Sequence, residues 1–214
     1  MKVLVALFAL VGAVLAGENG LDFIQATSVA TMQCLKKSGI SFVIPRIFTS
    51  VGTIDQTGIN NVKNAHEAGI AYIDGYLFPC LASHCGSGAQ QVKEALDAIA
   101  SHKTKIGTIW LDIERLAWPA NHVSNRAFIE SMVKEAEARK QLVGIYSNYY
   151  QWQDIVGLDY TGLKHLPLWW AEYDGEKDFA KYREFGGWSK PNIHQWHGTE
   201  NGPCGVSVDL NYIP

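Results

Sequence analysis

The sequence carries little net charge and lacks the short motifs that mark the common nucleotide-binding and hydrolytic sites. Its 18 basic and 21 acidic residues give a formal charge of −3, so no electrostatic footprint for nucleic acid or for an anionic membrane is visible. Glycine-rich phosphate-binding loops, G-x-S-x-G and H-E-x-x-H are missing, and the seven histidines are scattered without ligand spacing. We therefore expect no nucleic-acid partner, no metal and no cofactor.

The sequence also lacks an apolar run of the roughly 20 residues that cross a bilayer. Its longest run extends from Val3 to Leu15, follows the basic Lys2 and ends at the small Ala16 before polar residues, which is the pattern of a signal peptide. We predict cleavage after Ala16, secretion without a membrane anchor, and a single domain over residues 17–214. The N-x-[ST] sequon is absent, so N-glycosylation is not expected.

Cysteine is scarce, with only Cys34, Cys80, Cys85 and Cys204. On an oxidising secretory route, four cysteines favour two disulfides over a metal site. The sequence permits three pairings. We favour Cys80 with Cys85, which can close a short loop, and therefore Cys34 with Cys204. A zinc site that includes His84 is the alternative, but it lacks a second pair of ligands at matching spacing.

Eight short apolar or aromatic segments alternate, in the first part of the chain, with amphipathic stretches at helical spacing. Several of these segments are apolar at consecutive positions, as are strands of a parallel sheet that is buried on both faces. The pattern predicts an α/β fold of the parallel (β/α)-barrel type, similar to a TIM barrel. Such a barrel usually takes about 250 residues, whereas removing sixteen residues from 214 leaves 198. We expect a reduced or flattened barrel in which loops replace the last helices.

Two carboxylates end the strand-like segment WLDIE. Asp112 and Glu114 are two residues apart, so both side chains leave the same face of the strand, at the barrel end where active sites lie. Asp22 ends the first segment and Asp209 the last, and closing a barrel brings those segments together. Crowded carboxyl groups cannot all ionise, so one keeps its proton and can act as a general acid, as glycosidic cleavage requires. The competing interpretation is a solvated strand end or salt bridges.

Aromatic residues cluster in the second half of the chain, near the predicted strand ends. Flat rings can stack on sugar faces, although most aromatic residues fill a core. We select Tyr146, Trp170 and Tyr173 as candidates for sugar binding. A second acidic pair, Glu172 and Asp174, has the same spacing as the first pair and competes with it. We rank it lower because one of its two side chains can simply be exposed.

Six motifs resemble those of the glycoside hydrolase family 25 muramidases, in the branch found in nematodes and amoebae. They are FPC at 78–80, WLDIE at 110–114, GIYS at 144–147, PLWWAEYD at 167–174, FGGWSKP at 185–191 and VDLNY at 208–212. The resemblance covers essentially the whole mature chain. It implies a flattened, irregular α/β barrel that hydrolyses the β-1,4 link between N-acetylmuramic acid and N-acetylglucosamine in bacterial peptidoglycan.

The resemblance also implies roles for individual residues. Glu114 would be the proton donor, with Asp112 as its partner. Asp22 would be a third acid of the pocket, and Asp209 an acid of the pocket wall that contacts substrate. The implied protein is a secreted monomer that acts in the extracellular space, a lysosome or a gut lumen, in antibacterial defence or in digestion. The resemblance, together with two acids from one strand, favours the short carboxyl separation of retaining enzymes, so we expect retention of the anomeric configuration, with inversion as the alternative.

One departure from the family pattern lies at the start of the domain. Family members often begin with Asp-Val-Ser, whereas this chain has Asp22-Phe23-Ile24. We expect the bulkier Ile24 to narrow the pocket floor, or the missing serine to remove a hydrogen bond. This departure keeps open a catalytically impaired glycan-binding protein of the same fold. A chitinase-like glycosidase is less favoured, because its D-x-D-x-E motif needs an aspartate where this chain has Trp110.

Overall fold

The computed structural model describes residues 17–214, so the predicted signal peptide over residues 1–16 lies outside the described residues. The strands are β1 (Glu18–Phe23), β2 (Ile40–Phe48), β3 (Tyr72–Ile73), β4 (Gly75–Leu77), β5 (Thr108–Asp112), β6 (Leu142–Ser147), β7 (Leu168–Ala171), β8 (Ile193–Asn201) and β9 (Ser207–Ile213). The helices are α1 (Val29–Lys37), α2 (Gln56–Ala68), α3 (Gly88–Ser101), α4 (His122–Ala138) and α5 (Tyr149–Ile155). Within the described part of the chain, no helix is both long and apolar enough to cross a membrane.

The strands form one sheet that closes on itself. Its spatial order is β1, β9, β8, β7, β6, β5, β4 and β2, and β2 pairs with β1 to complete the ring. The two-residue strand β3 attaches to β2 ahead of β4 in the chain. Eight strands therefore form a closed barrel with helices around it, which confirms the predicted α/β barrel.

The direction of the last strand differs from the prediction of a parallel barrel. Strand β9 is antiparallel to both β8 and β1, whereas every other described pair is parallel. The segment between β8 and β9 is only residues 202–206, and a parallel connection needs a dozen or more residues. A hairpin is the only connection that this length permits. The segment 172–192 between β7 and β8 contains no α-helix, as predicted for the end of the barrel.

Each of the five helices begins at a residue whose side chain accepts a hydrogen bond from a backbone N–H of the first turn. These residues are Ser28, Asp55, Ser87, Asn121 and Asn148. Because the first N–H groups of a helix have no partner within the helix, such side chains define where it starts. The caps thus set the ends of the loops that follow the barrel strands.

Aromatic side chains fill the barrel interior. The inner cluster includes Phe42, Trp110 and Trp169, whereas the larger apolar core lies between the strands and the surrounding helices. Glycines make room for these rings: a Cβ on Gly144 would overlap the Trp110 ring, and one on Gly20 would overlap the Phe42 ring. Packing at protein density leaves no space for a ligand there, so an open cleft can form only near the strand ends.

Both predicted disulfides are present. Cys34 of α1 is bonded to Cys204 in the turn before β9, and Cys80 is bonded to Cys85 in the loop after β4. The first bridge ties the beginning of the domain to its last hairpin. Because the sulfurs of Cys80 and Cys85 are bonded to each other, they do not form the alternative zinc site with His84.

Candidate active site

A cleft of about 360 Å³ opens at one end of the barrel, where the parallel strands end. All four acids selected from the sequence line it: Asp22, Asp112, Glu114 and Asp209. Asp22 and Asp112 lie near the ends of parallel strands, and Glu114 follows β5 by two residues. Asp209 lies near the beginning of β9, which reaches the same end because this strand is antiparallel. The direction of β9 thus completes the acid cluster.

Asp22 is buried among amide donors. Its Oδ1 accepts hydrogen bonds from Asn211 Nδ2 at 2.7 Å and from Gln195 Nε2 at 2.8 Å. Burial is the largest influence on this carboxyl group, followed by the negative charge of Asp209, and together they raise its pKa from 3.8 to about 7. The two amides favour the ionised form but do not reverse this rise. Asp22 can therefore exchange a proton near neutral pH.

Asp112 lies deeper and has fewer partners. Its Oδ1 is buried and has no hydrogen-bond partner among residues 17–214. Burial raises the pKa of Asp112 well above its usual value, and the charges of Glu114 and Asp22 raise it further, while Arg46 acts in the opposite direction. A buried acceptor without a donor is unfavourable, so this oxygen is suited to receive a donor from a bound substrate.

Glu114 and Asp209 lie nearer the mouth and are half-buried. Burial raises the pKa of Glu114, and the negative charge of Asp209 adds to the rise. The backbone carbonyl of Glu114 accepts a hydrogen bond from Trp118 Nε1 at 2.9 Å, which anchors the chain just after β5. Asp209 accepts a hydrogen bond from the backbone N–H of Thr199 at 2.5 Å, and burial still raises its pKa. Burial thus raises the pKa of all four carboxyl groups of the cleft.

Two of the three selected aromatic residues line the cleft. Tyr146 is buried on its floor and Tyr173 is exposed at its rim. Both hydroxyls donate to the same atom, Gln195 Oε1, at distances of 2.7 Å and 3.1 Å. The Nε2 of Gln195 donates a hydrogen bond to Asp22, so this one amide connects both tyrosines to the acid cluster.

The third selected aromatic residue, Trp170, does not line the cleft. Its ring is 3% exposed and stacks on His194 with 4.1 Å between ring centroids, in the core outside the barrel. Its neighbour Trp169 lies in the cleft instead, because consecutive strand residues point to opposite faces. Trp169 packs against Tyr146, with 4.6 Å between centroids, and donates from Nε1 to Asn211 Oδ1 at 2.7 Å.

The competing acidic pair lies elsewhere. Neither Glu172 nor Asp174 lines the cleft. The Asp174 side chain is only 5% exposed and lies 3.9 Å from His194 and 3.6 Å from Lys181. The preference for the pair on WLDIE therefore agrees with the geometry.

Ile24, which stands where the family pattern has serine, lies at the edge of the cleft. Ile24 lines the cleft but is 53% exposed, so it contributes an apolar rim and does not narrow the floor. The floor beside Asp22 is formed by Trp169 and Tyr146. The carboxyl group of Asp22 keeps two amide donors without the serine hydroxyl of the family pattern.

Arg46, Gln195 and Asn211 are polar residues of the site that were not selected from the sequence. Arg46 lines the cleft and donates from Nε to Asp55 Oδ2 at 2.8 Å, the same carboxylate that caps α2. The sequence does contain a pattern that could have identified Gln195 and Asn211. Gln195 is two residues from the apolar Ile193, and Asn211 is two residues from Asp209. Polar residues at such positions face the barrel interior with those neighbours.

Comparisons with known proteins agree with this geometry. A family profile described as "Lysozyme-like protein 1" matches residues 15–196. The chain is 63% identical to "Lysozyme-like protein 5" of Caenorhabditis elegans over 199 residues, covering 93% of each protein. It is 37% identical to "Probable GH family 25 lysozyme 2" of Dictyostelium discoideum, covering 100% of this chain and 99% of the relative. The chain belongs to the glycoside hydrolase family 25 lysozymes.

Solved structures show the same fold. The structure of a family GH25 lysozyme from Aspergillus fumigatus superposes with a TM-score of 0.73 at 21% identity, covering 93% of this chain and 94% of the other. As a member of family 25, the present chain is a glycoside hydrolase. The cleft described above supplies what glycosidic hydrolysis needs, namely carboxyl groups with raised pKa values beside aromatic surfaces and amides.

Proposed function

We propose that this protein is a secreted muramidase that hydrolyses the β-1,4 link between N-acetylmuramic acid and N-acetylglucosamine in bacterial peptidoglycan. The observation that carries the proposal is the burial gradient of the carboxyl groups: Asp22 and Asp112 are buried, and Glu114 and Asp209 are half-buried in the same cleft. Carboxyl groups in different environments can take different protonation states, which is the asymmetry that glycosidases use. The lysozymes among its relatives support peptidoglycan as the substrate.

Glu114 is the proton donor in this mechanism. It is near enough to the mouth to meet the glycosidic oxygen, and burial together with Asp209 raises its pKa so that it keeps a proton at mildly acidic pH. Transfer of that proton to the leaving sugar oxygen makes the C–O bond easier to break. A fully exposed glutamate would already be ionised under the same conditions.

Asp112 and Asp22 act on the other reacting groups. Asp112 acts after it has released its proton, a step that burial and the charges of Glu114 and Asp22 oppose. Its carboxylate then stabilises the positive charge that develops on the sugar ring, and its buried Oδ1 accepts a hydrogen bond from a substrate N–H. Asp22, held by two amide donors, takes up or releases a proton as the charges around it change. The positive charge of Arg46 favours the ionised form of Asp112.

The substrate is bound by four residues of the cleft, namely Tyr146, Tyr173, Trp169 and Asp209. Aromatic surfaces stack on sugar rings, and the carboxylate of Asp209 accepts hydrogen bonds from sugar hydroxyls or acetamido N–H groups. Trp170 is left out because its ring lies in the outer core. We propose that the protein acts outside the cytosol, as a monomer, in defence against bacteria or in their digestion. Its two disulfides support an oxidising compartment.

The direct test is to measure the release of reducing ends from purified peptidoglycan and from chitin. We expect release from peptidoglycan and little from chitin, which lacks the lactyl group and the peptide. Tight binding to peptidoglycan without release would favour the glycan-binding alternative. Equal release from both polymers would favour a chitinase-like glycosidase.

A further inference from the structure

His194 is a fully buried histidine on β8, outside the cleft. It lies on the outer face of the barrel, next to Trp170 of β7 and opposite Tyr212 of β9. The segment that follows β7 covers it. The same segment contains Tyr173 at the rim of the cleft.

Both ring nitrogens of His194 contact backbone carbonyls of that segment. Nδ1 is 2.7 Å from the carbonyl oxygen of Asp178, and Nε2 is 2.9 Å from that of Glu172. A carbonyl oxygen only accepts hydrogen bonds, and a neutral imidazole has a single N–H. Both contacts can be hydrogen bonds only when the ring carries two protons.

The surroundings of His194 suit a positive charge. The Asp174 carboxylate lies 3.9 Å from Nε2, and its other oxygen lies 3.6 Å from Lys181 Nζ. The Trp170 ring stacks on the imidazole with planes 19° apart, which favours a cation. Glu172 and Asp178 face the His194 ring with their backbone carbonyls. The side-chain carboxylate of Asp178 accepts a hydrogen bond from the backbone N–H of Ala180 instead. Because buried charges need partners, the Asp174 carboxylate and an imidazolium stabilise each other.

The contact with Glu172 connects this outer core to the cleft. Glu172 immediately precedes Tyr173, whose hydroxyl donates to Gln195 Oε1 inside the barrel. Gln195 in turn follows His194 on β8, and the two side chains point to opposite faces. Two neighbouring residues of β8 therefore hold Tyr173 in place. His194 contacts the backbone carbonyl of the preceding Glu172, and Gln195 accepts a hydrogen bond from the Tyr173 hydroxyl.

We propose that His194, as an imidazolium, is a positioning residue that holds the segment 172–178 and thereby keeps Tyr173 at the rim of the cleft. Removal of either ring N–H breaks one of the two carbonyl contacts and lets Tyr173 move, which weakens substrate binding. This inference rests on the proposed role of Tyr173 in sugar binding. The protonation state of His194 itself does not depend on that role.

The first test is spectroscopic and needs no substrate. In histidine-labelled protein at pH 6, we expect two slowly exchanging ring N–H signals that disappear in His194→Phe. The ring N–H protons of the exposed His165 exchange with water and give no such signals, which provides the internal control. Detection of only one slowly exchanging N–H from His194 would show a neutral ring and would overturn the proposal.

The second test is kinetic. The variant His194→Phe keeps an aromatic ring against Trp170 but removes both donors, and we expect KM for peptidoglycan fragments to rise by about tenfold with kcat within about twofold of wild type. His165→Phe is the matched control and should follow wild type.

An unchanged KM in a folded His194→Phe variant would overturn the positioning role. If that variant does not fold, the number of slowly exchanging ring N–H signals from His194 in wild type still decides. If wild type releases no sugar from peptidoglycan, the proposed function fails, while the spectroscopic result for His194 stands on its own.

Discussion

Asp22 and Asp209 face each other directly across the antiparallel pair of β1 and β9. One amide contacts both carboxylates, since Gln195 Nε2 lies 2.8 Å from Asp22 Oδ1 and 3.4 Å from Asp209 Oδ2. The charge of Asp209 contributes to the raised pKa of Asp22. These two residues are 187 positions apart in the chain, so this part of the acid cluster exists only when the barrel is closed.

Replacement of the proposed proton donor should abolish catalysis but preserve the fold. Glu114→Gln is nearly isosteric and removes the transferable proton, so we expect lysis of bacterial cell walls to fall by about a hundredfold or more. Circular dichroism and thermal unfolding should match wild type. The exposed Glu176→Gln serves as the matched control with normal activity. A Glu114→Gln variant with wild-type lysis would remove Glu114 from the mechanism.

The activity should have an acidic optimum. Burial raises the pKa values of Glu114, Asp112 and Asp22, so the cluster keeps protons at mildly acidic pH and loses them as the pH rises. Since the proton donor must be protonated, kcat/KM should decline as the pH rises and Glu114 loses its proton. A rate that climbs steadily from about pH 5 to about pH 9 would contradict a carboxylic proton donor.

Ionisation of Asp22 should destabilise the fold. Its pKa is about 7 in the folded protein and near 3.8 as an unperturbed group. Between these values the folded state holds a proton that the unfolded chain releases, so the free energy of unfolding should fall as the pH rises from about 4 to about 7. Asp22→Asn imitates the protonated form and should stabilise the protein at pH 8 by on the order of 2 kcal/mol, while activity is lost.

Thermal unfolding at pH 4 and pH 8 checks this prediction. We expect the melting temperatures of wild type and Asp22→Asn to differ little at pH 4 and clearly at pH 8. Asp159→Asn changes an exposed carboxylate and is the control without a comparable pH-dependent gain. A variant that is less stable than wild type at pH 8 would refute the linkage.

Loss of the Tyr146 hydroxyl should impair the site without unfolding it. Tyr146→Phe removes one of the two donors to Gln195 Oε1, so the amide that orients Asp22 is held less firmly. We expect kcat/KM to fall by about tenfold. Tyr160→Phe loses a hydroxyl that donates to Glu130 at 2.8 Å outside the cleft, and should retain normal kcat/KM. Equal activities of the two variants would argue against a role for the Tyr146 hydroxyl.

The two disulfides should differ in their effects on stability. Cys34 and Cys204 are 170 residues apart in sequence and Cys80 and Cys85 only five, and a bridge that closes a longer loop restricts the unfolded chain more. Loop-closure entropy predicts losses of about 5 and about 2 kcal/mol respectively. Denaturant unfolding of the double alanine variants measures both. A larger loss from the short bridge would show that native contacts of the loop dominate.

The spacing of the proposed catalytic pair could be read from the sequence because it is local. Asp112 and Glu114 lie on one strand, where the alternation of side chains fixes their common direction. Trp170 was selected wrongly for a related reason. In PLWWAEYD the strand is apolar on both faces, so its hydrophobic pattern does not indicate which tryptophan points inward. Only the pairing of β7 with β6 and β8 places Trp169 inside the barrel.

Local periodicity, spacing and composition were sufficient to predict the α/β class, the four acids and the preferred cysteine pairing. The direction of β9, the sharing of Gln195 by Asp22 and two tyrosines, and the double contact of His194 with backbone carbonyls could be seen only in the folded chain. Such features arise from contacts between residues that are distant in the chain. The raised pKa values belong to the same group, since burial and the nearness of like charges exist only after the barrel has closed.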